Sequence, residues 1–455
     1  MVLDAPNKES ALALDESMQV PPSQSLLVIA LPLSGRYALH GQRALVAAQL
    51  ALGVAPQQIR QEPFVDTIEG LRVQVVDSGE QAQPLQSASM QQLQQDASVV
   101  VGALAPQTAH EWATTCQSAE IPFISLANRQ DIAQTGSWIF GMPLTLQQQV
   151  DALVRWSVQH KGLQRFAILY PQDRYGQQAL QALQHAVQQA DTHEQPVVVA
   201  AESYEPGETT FKWPIRQLVG LHPIHKHPQY ESCQWQAAQE AKKGATTFAQ
   251  AKRNCIDSLP PIVDFDALLL PAVAETVSYI IPALVAQDIL VSQDARIQRK
   301  YKKATGHTHI KPVQLLGSNL WNNPQLQQRL HQPTGTGNLG EYMEGALFVD
   351  GMNWQQAGES GQHFADAFQQ HFGSYPSWKE SRVYDAVTLA VWALRQATTA
   401  TTVQQLRQQI QQQLTQDSDC TTGITGPIRF DNDGNRVPAL VLFSIQNNMV
   451  EQIQQ

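Results

Sequence analysis

Leu26-Leu27-Val28-Ile29-Ala30-Leu31-Pro32-Leu33-Ser34-Gly35 is the stretch that decides the fold. Its six leading apolar residues predict a buried strand, Pro-Leu-Ser-Gly predicts a tight loop, and an Ala/Leu-rich helix is expected from about Gly41. A turn that enters a helix N-terminus leaves backbone N–H groups pointing into a crevice. In open α/β sheets, ligands bind at the carboxyl ends of the strands. The pattern recurs along the chain without a catalytic constellation, so the sequence favours binding over chemistry.

Length and charge limit the class of protein. A chain of 455 residues exceeds what one hydrophobic core usually supports, so at least two lobes are expected. The formal net charge of −10 disfavours non-specific nucleic-acid binding, and no nucleic-acid partner is predicted. No stretch approaches the ~20 apolar residues that span a bilayer. Residues 1–24 are polar and are interpreted as a flexible leader, such as remains after an export signal is trimmed.

Apolar strand segments alternate with helix-forming segments along the chain. Such alternation predicts parallel sheets. We therefore predict an α/β fold of two Rossmann-like lobes. Strands are expected at 26–31, 71–76, 98–101 and 121–126 in the first lobe, and at 165–170, 197–201, 265–270, 313–316 and 346–349 in the second.

Residues 222–261 interrupt the alternation, and their helix-forming run 236–253 predicts a helical insertion on the second lobe. His222, His225 and His227 are closely spaced, but neighbouring prolines exclude a regular helix around them, so a solvated loop is favoured over a metal site. No metal is predicted.

The four cysteines form no Cys-x-x-Cys pair, so zinc and redox motifs are absent. Cys233 and Cys255 flank a polar, helix-forming segment. They could pair as the staple of a local hairpin, or remain free thiols. The sequence leaves both alternatives open.

Several short motifs follow one another in a recognisable order from residue 25 onward. They are Pro32-Leu33-Ser34-Gly35 with Gly41, Val76-Asp77, Val101-Gly102, Ile121-Pro122-Phe123-Ile124-Ser125, the run from Tyr170 to Gly176, Glu344-Gly345, Tyr384-Asp385-Ala386 and Gly426-Pro427-Ile428-Arg429-Phe430. The ordered set resembles the type I periplasmic-binding-protein family, specifically its branched-chain amino-acid receptor type. Within the family, the insertion before Val263 and the run Leu316-Gly317-Ser318-Asn319-Leu320-Trp321-Asn322 are similar to the branch of penicillin-binding-protein activators. Those activators are outer-membrane lipoproteins that stimulate peptidoglycan synthases.

The resemblance implies two lobes joined by three crossovers, with a ligand held in the cleft between them. The chain is expected to cross near Thr145, Gly351 and Val437. The first lobe would then comprise residues 25–145 plus 352–437, and the second 146–351 plus 438–455. Closure of such lobes is a hinge motion that couples ligand occupancy to the shape that a partner meets.

The resemblance also implies ligand-binding residues on the first lobe. Ser34 lies in the loop after the first strand. The loop after the Val-Gly strand offers a hydroxyl and N–H groups to a ligand carboxylate in the receptors. Here Pro106 has no N–H, so Gln107 and Thr108 are the candidates, with helix capping as the alternative. The next loop carries Asn128 and Arg129. Arg129 could bind a carboxylate or phosphate through two donors, or extend toward solvent.

On the second lobe, the resemblance implies that Tyr175 lines the cleft, with ordinary contacts at a helix start as the alternative. Many amino-acid receptors carry an acidic residue near Asn319 for the ligand ammonium. Asn319 is neutral and cannot supply that charge. Trp321 is interpreted as stacking on a ligand or filling the cleft, with a wall role favoured.

Enzymatic motifs fail in their required context. The run Gly335-Thr336-Gly337-Asn338-Leu339-Gly340 matches GxGxxG but follows a polar stretch and leads into a strand, so a flexible loop is predicted rather than a dinucleotide site. We predict no catalytic residue and no cofactor. The expected function is an exported, non-enzymatic solute-binding protein that captures a small amino-acid-like or carboxylate ligand for an ABC-type permease. The alternative is an activator-like regulator that contacts a peptidoglycan synthase. The expected location is the periplasm, with a lipid anchor to the outer membrane as a variant of it.

Overall fold

This computed structural model describes residues 25–56, 65–68, 70–129, 131–190, 195–244, 246–305, 311–334, 337–353, 358–416 and 418–453. The predicted leader and residues 335–336 of the GxGxxG run lie outside these ranges. The described residues form two compact units. The first takes its residues from Met1–Thr145 and Gly351–Ala439, and the second from Leu146–Asp350 and Leu440–Gln455. Every helix within the described ranges is too short or too polar to cross a lipid bilayer.

The elements are numbered in chain order. The strands are β1 Leu26–Leu31, β2 Val65–Ile68, β3 Leu71–Asp77, β4 Val99–Gly102, β5 Phe123–Ser125, β6 Ile139–Gly141, β7 Arg165–Pro171, β8 Val197–Tyr204, β9 Ala267–Leu270, β10 Gln314–Gly317, β11 Pro333–Thr334, β12 Gly337–Asn338, β13 Leu347–Asp350, β14 Thr421–Gly423, β15 Gly426–Ile428, β16 Val441–Gln446 and β17 Met449–Gln452. The helices are α1 Ala38–Ala51, α2 Ala88–Asp96, α3 Pro106–Ser118, α4 Leu146–Lys161, α5 Arg174–Gln188, α6 Lys212–Leu218, α7 Tyr230–Lys242, α8 Phe248–Asp257, α9 Ala274–Val285, α10 Ala295–Thr305, α11 Pro324–Arg329, α12 Leu339–Met343, α13 Gly358–Phe372, α14 Trp378–Gln396 and α15 Val403–Leu414.

The sheet of the first unit has the strand order β2-β3-β1-β4-β5-β6. Apart from the antiparallel β2–β3 pair, its neighbouring strands are parallel. All six residues of β1 are buried, because the strand is hydrogen-bonded on both sides and covered on both faces. Full burial of one such Leu or Ile side chain contributes roughly 1.5–3 kcal/mol. The opening apolar run is therefore the centre of this unit's core.

The sheet of the second unit has the order β17-β16-β13-β10-β9-β7-β8. Strands β7, β8, β9, β10 and β13 pair in parallel, while β16 and β17 return antiparallel along one edge. Two sheets of mostly parallel strands with intervening helices confirm the predicted α/β class.

The segment from 222 to 261 contains α7 and α8, which pack against each other as a helical pair. Cys233 and Cys255 are joined in a disulfide, with 5.7 Å between their Cα atoms. Ala237 on α7 and Ala251 on α8 are buried. His227 is held inside this segment, because its Nε2 lies 3.1 Å from the Pro260 carbonyl oxygen and its Nδ1 accepts from the Gln229 N–H at 3.2 Å.

A fully buried ion pair ties α14 to the segment that follows β15. Asp385 and Arg436 both have completely buried side chains, and Oδ2 of Asp385 lies 3.2 Å from Nη1 of Arg436. The same carboxylate accepts from the Ile424 N–H at 2.7 Å, and from the N–H and hydroxyl of Thr425. A buried charge is tolerated only when it is paired and hydrogen-bonded. Tyr384-Asp385-Ala386 is thus a structural motif of the first unit.

Replacing Asp385 by Asn should lower the free energy of unfolding of the first unit by about 3 kcal/mol, because Arg436 would be left as an uncompensated buried charge. Arg436→Met should have a similar effect, because it would leave the Asp385 carboxylate as the uncompensated buried charge. In a urea-unfolding double-mutant cycle, the double variant should lose less free energy of unfolding than the sum of the losses of the two single variants. Strict additivity would contradict this assignment.

Glu380 links the start of α14 to α1. Its Oε1 accepts from Nε of Arg43 at 2.8 Å, and its Oε2 accepts from the N–H and hydroxyl of Ser377 at 2.7 and 2.5 Å, which completes a capping box. Burial by itself would raise the pKa of Glu380, but the hydrogen bonds from Arg43 and Ser377 outweigh burial and hold it below its usual range.

Glu380→Gln should lower the free energy of unfolding at pH 7 by about 2 kcal/mol, the scale of a lost hydrogen bond to a charged group. A lowered folded-state pKa means that this stability is complete above the unfolded pKa of about 4.3 and is lost as pH falls further. The difference between wild type and variant in urea unfolding should therefore be constant from pH 7 to 5 and shrink below pH 4. Glu359→Gln, at the exposed start of α13, is the control and should show no such trend.

Candidate functional site

The loop after β1 is closed by Asp77, the last residue of β3. One carboxylate oxygen of Asp77 accepts from the N–H groups of Leu33 at 2.8 Å, Ser34 at 3.2 Å and Gly79 at 2.7 Å. The Ser34 hydroxyl accepts from the Gln81 N–H at 2.8 Å. A Cβ at Gly79 would overlap the carbonyl oxygen of Ser34, so the close approach of the two loops requires glycine there. Ser34 thus shapes this edge of the sheet, and its ligand contact stays a prediction.

The first turn of α3 follows β4 and carries two predicted site residues. Ala105 is its N-cap and supplies no side-chain hydrogen bond, and Pro106 occupies the first helical position. The Gln107 side chain lies 3.3 Å from Oε1 of Glu111 rather than capping the helix. Within the described part of the chain, the N–H groups of Gln107 and Thr108 have no hydrogen-bond acceptor. The side chains of Gln107 and Thr108 therefore do not cap the helix, and the backbone N–H groups of both residues are available as donors.

A cavity of about 560 Å³ opens beside this turn, within the first unit. Its walls are the loop after β3 and one side of α3, and Thr108 lies in the wall together with Asp77, Ser78 and Glu111. Ser78 is 5% exposed, and its hydroxyl has no hydrogen-bond partner in the described structure. The carboxyl end of β3 thus opens into a recess beside the first turns of α3, as expected for an open α/β sheet.

Asn128 and Arg129 lie in the loop after β5 and make local contacts. Oδ1 of Asn128 accepts from the Leu144 N–H at 2.9 Å. The Arg129 guanidinium pairs with both carboxylate oxygens of Asp131, with Nε 2.7 Å from Oδ1. This hydrogen bond raises the pKa of Arg129 and lowers that of Asp131. A ligand anion at Arg129 would have to compete with Asp131, and the ligand roles of Asn128 and Arg129 stay predictions.

In the second unit, Tyr175 and Ser318 bring two strand ends together. Asp173 caps α5 by accepting from the Gly176 N–H at 2.8 Å, which places Tyr175 just after β7. The Tyr175 hydroxyl lies 3.1 Å from Oγ of Ser318, which follows β10. Burial raises the pKa of Tyr175 to about 12, so the phenol is neutral at physiological pH. Ser318 was absent from the predicted site, although its place after an apolar strand could have indicated it.

Two further polar residues occupy the same edge of this sheet. The Asn319 N–H donates to Oε1 of Gln149 at 2.8 Å, and its side chain is half-buried. Asp350, at the end of β13, is buried and accepts from Nδ2 of Asn322 at 2.8 Å. Sequence reasoning missed Asp350. The signal was an acidic residue that ends an otherwise apolar strand, Leu347–Asp350.

Trp321 is a core residue, which corrects the wall role favoured from the sequence. Its side chain is fully buried, and its ring centroid lies 6.1 Å from that of Phe348. A side chain at Gly317 would overlap the indole. The short 3-10 turn Asn319–Trp321 folds back on the end of β10, so the indole ring of Trp321 packs directly against Gly317. The large aromatic therefore fills the interior of the second unit.

Residues 28–223 match a family model described as periplasmic binding protein. Three solved structures share the fold. One is assigned to a branched-chain amino acid ABC transporter from Rhodospirillum rubrum, with 17% identity, 94% of this chain and 99% of that chain covered, and a TM-score of 0.63. Another is the substrate-binding protein LivJ from Streptococcus pneumoniae in complex with isoleucine, with 16% identity, coverage of 95% and 99%, and a TM-score of 0.52. The third is a solute-binding protein from R. palustris in complex with benzoate, with 14% identity, coverage of 94% and 95%, and a TM-score of 0.52.

The comparison with curated proteins gives no match. None of the three structures described is named as a penicillin-binding-protein activator, and that branch stays a prediction. The sequence match over residues 28–223 and the shared fold over 94% of the chain agree with each other and with the ordered motifs. Residues 28–223 thus match the periplasmic-binding-protein family model, and the described chain has the type I periplasmic-binding-protein fold of these solved structures.

Proposed function

We propose that this protein is a non-enzymatic solute-binding protein that captures a small ligand through a carboxylate, for an ABC-type uptake system in the periplasm. The observation that carries the proposal is the open first turn of α3, where the N–H groups of Gln107 and Thr108 have no acceptor among the described residues. The relatives support the ligand class, because isoleucine and benzoate, bound in two of the solved structures, share a carboxylate.

A helix N-terminus suits a carboxylate for two physical reasons. The unpaired N–H groups of the first turn donate hydrogen bonds, and the helix dipole places partial positive charge there. A hydrogen bond to a charged group contributes about 1.5–3 kcal/mol, and the dipole about 0.3–1 kcal/mol more. Pro106 at the first position contributes no N–H but sets the helical φ in advance. Gln107 and Thr108 are thus the donors, and the Thr108 hydroxyl is a third.

The polar groups at the strand ends of the second unit are mostly neutral. Tyr175 and Ser318 present hydroxyl groups, and Asn319 presents an amide where an amino-acid receptor would use a carboxylate. Asp350 is buried and already accepts from Asn322. These four residues therefore supply no available carboxylate for an ammonium group.

The proposal is tested by thermal unfolding of the full chain with benzoate and isoleucine, each compared with its carboxamide. At a carboxylate concentration of 100 times Kd, the melting temperature should rise by roughly 5 °C or more, because binding stabilises the native state by about 2.7 kcal/mol. Both carboxylates should give such a shift, and the carboxamides should give little or none.

Two substitutions at one position separate the backbone donor from the side chain. Thr108→Pro removes an N–H that has no intrahelical partner and is tolerated in a first turn, so it should weaken carboxylate binding by about tenfold or more with little loss of stability. Thr108→Ala retains the N–H and should weaken binding less. Carboxylate affinity that is unchanged in Thr108→Pro, or a thermal shift equal for acid and amide, would disprove the assignment.

A further inference from the structure

The chain passes between the two units at three points, after Thr145, before Gly351 and after Ala439. In the first unit, a residue near each of these points contacts α14. The three residues are Met142, Gly351 and Arg436. These contacts join three segments that are far apart in sequence: 141–145, 351–353 and 434–439.

Trp378, the first residue of α14, contacts the segment at Gly351. A side chain at Gly351 would overlap the six-membered ring of the indole. Trp378 is 7% exposed, so the backbone of Gly351 lies directly against a buried aromatic face. The return of the chain into the first unit is therefore fixed by close contact that only glycine allows.

Arg382 lies one turn further along α14 and contacts the segment before Thr145. Its Nη1 donates to the Met142 carbonyl oxygen at 3.3 Å, and the side chain is 4% exposed. The preceding residue, Gly141, donates its N–H to the Gly434 carbonyl at 2.8 Å and accepts from the Arg436 N–H at 2.8 Å. The first and third segments are thus hydrogen-bonded to each other as well as to α14.

Arg436 completes the arrangement on the third segment. Its guanidinium pairs with Asp385 at 3.2 Å and lies 5.9 Å from the centroid of the Trp378 ring. The positions 378, 382 and 385 recur at helical spacing on one face of α14. One helix face therefore contacts all three connecting segments.

We propose that Trp378, Arg382 and Asp385 form a connector clamp, a common anchor that couples the three segments joining the units. In such a clamp, loosening one contact loosens the other two segments, because all three are held by close-packed, buried groups on one helix face. All of these contacts lie within the first unit, and none of them involves the proposed ligand.

The test is amide hydrogen exchange of the full chain, measured by mass spectrometry on peptides that cover 141–145, 351–353 and 434–439. Trp378→Phe retains an aromatic ring but removes the part that contacts Gly351. In this variant, the amide exchange rate should rise about tenfold in all three peptides, because each segment loses its protection when the contacts with α14 loosen. Arg382→Met, which removes the bond to Met142 but keeps the stem, should raise exchange in the same three peptides.

Trp112→Phe is the matched control, since Trp112 is a buried tryptophan of the same unit on α3. It should leave the three peptides within about twofold of wild type. A rise confined to 351–353 in Trp378→Phe, or an equal rise in Trp112→Phe, would overturn the clamp. The first result would mean a local contact, and the second a general loss of stability.

Discussion

The buried pair of Asp385 and Arg436 is the interaction on which the first unit depends most. Both side chains are removed from water, and each would be strongly unfavourable without the other. The carboxylate also orders Ile424 and Thr425, and the guanidinium reaches the carbonyl groups of Gly426 and Pro427. One ion pair thereby fixes a long helix, the β14–β15 hairpin and the chain that leaves the unit.

Polar groups that follow the strands of the first unit fall into two kinds. Asp77 uses its carboxylate to close the loops after β1 and β3, so these loop N–H groups serve the structure. The α3 N-terminus has no equivalent acceptor, and its donors are open. This difference separates a loop that shapes the recess from a helix end with capacity to bind an anion, although both follow the same strand–loop–helix pattern in sequence.

Much of the fold could be predicted because its signals are local. The apolar run of β1 and the alternation of strands and helices specify parallel sheets, and the positions of most buried strands follow from short apolar runs in the sequence. The candidate site was less predictable. The sequence around Trp321 is compatible with a side chain that lines a cleft and with one that fills the core. Only the packing of the 3-10 turn onto Gly317 decides between these two positions. Ser318 and Asp350 were missed because a polar residue after a strand gives no sign of its partner.

The sequence by itself determined the α/β class, the ordered motifs of the family and the residues that can act as donors at the α3 N-terminus. These follow from periodicity, turn chemistry and residue type, which are properties of neighbours along the chain. Only the tertiary structure decided that Arg129 is paired with Asp131, that Tyr175 meets Ser318 and that α14 contacts three distant segments. Partner choice depends on which side chains the chain path brings within about 3 Å, the range of a hydrogen bond, and no local pattern encodes that path.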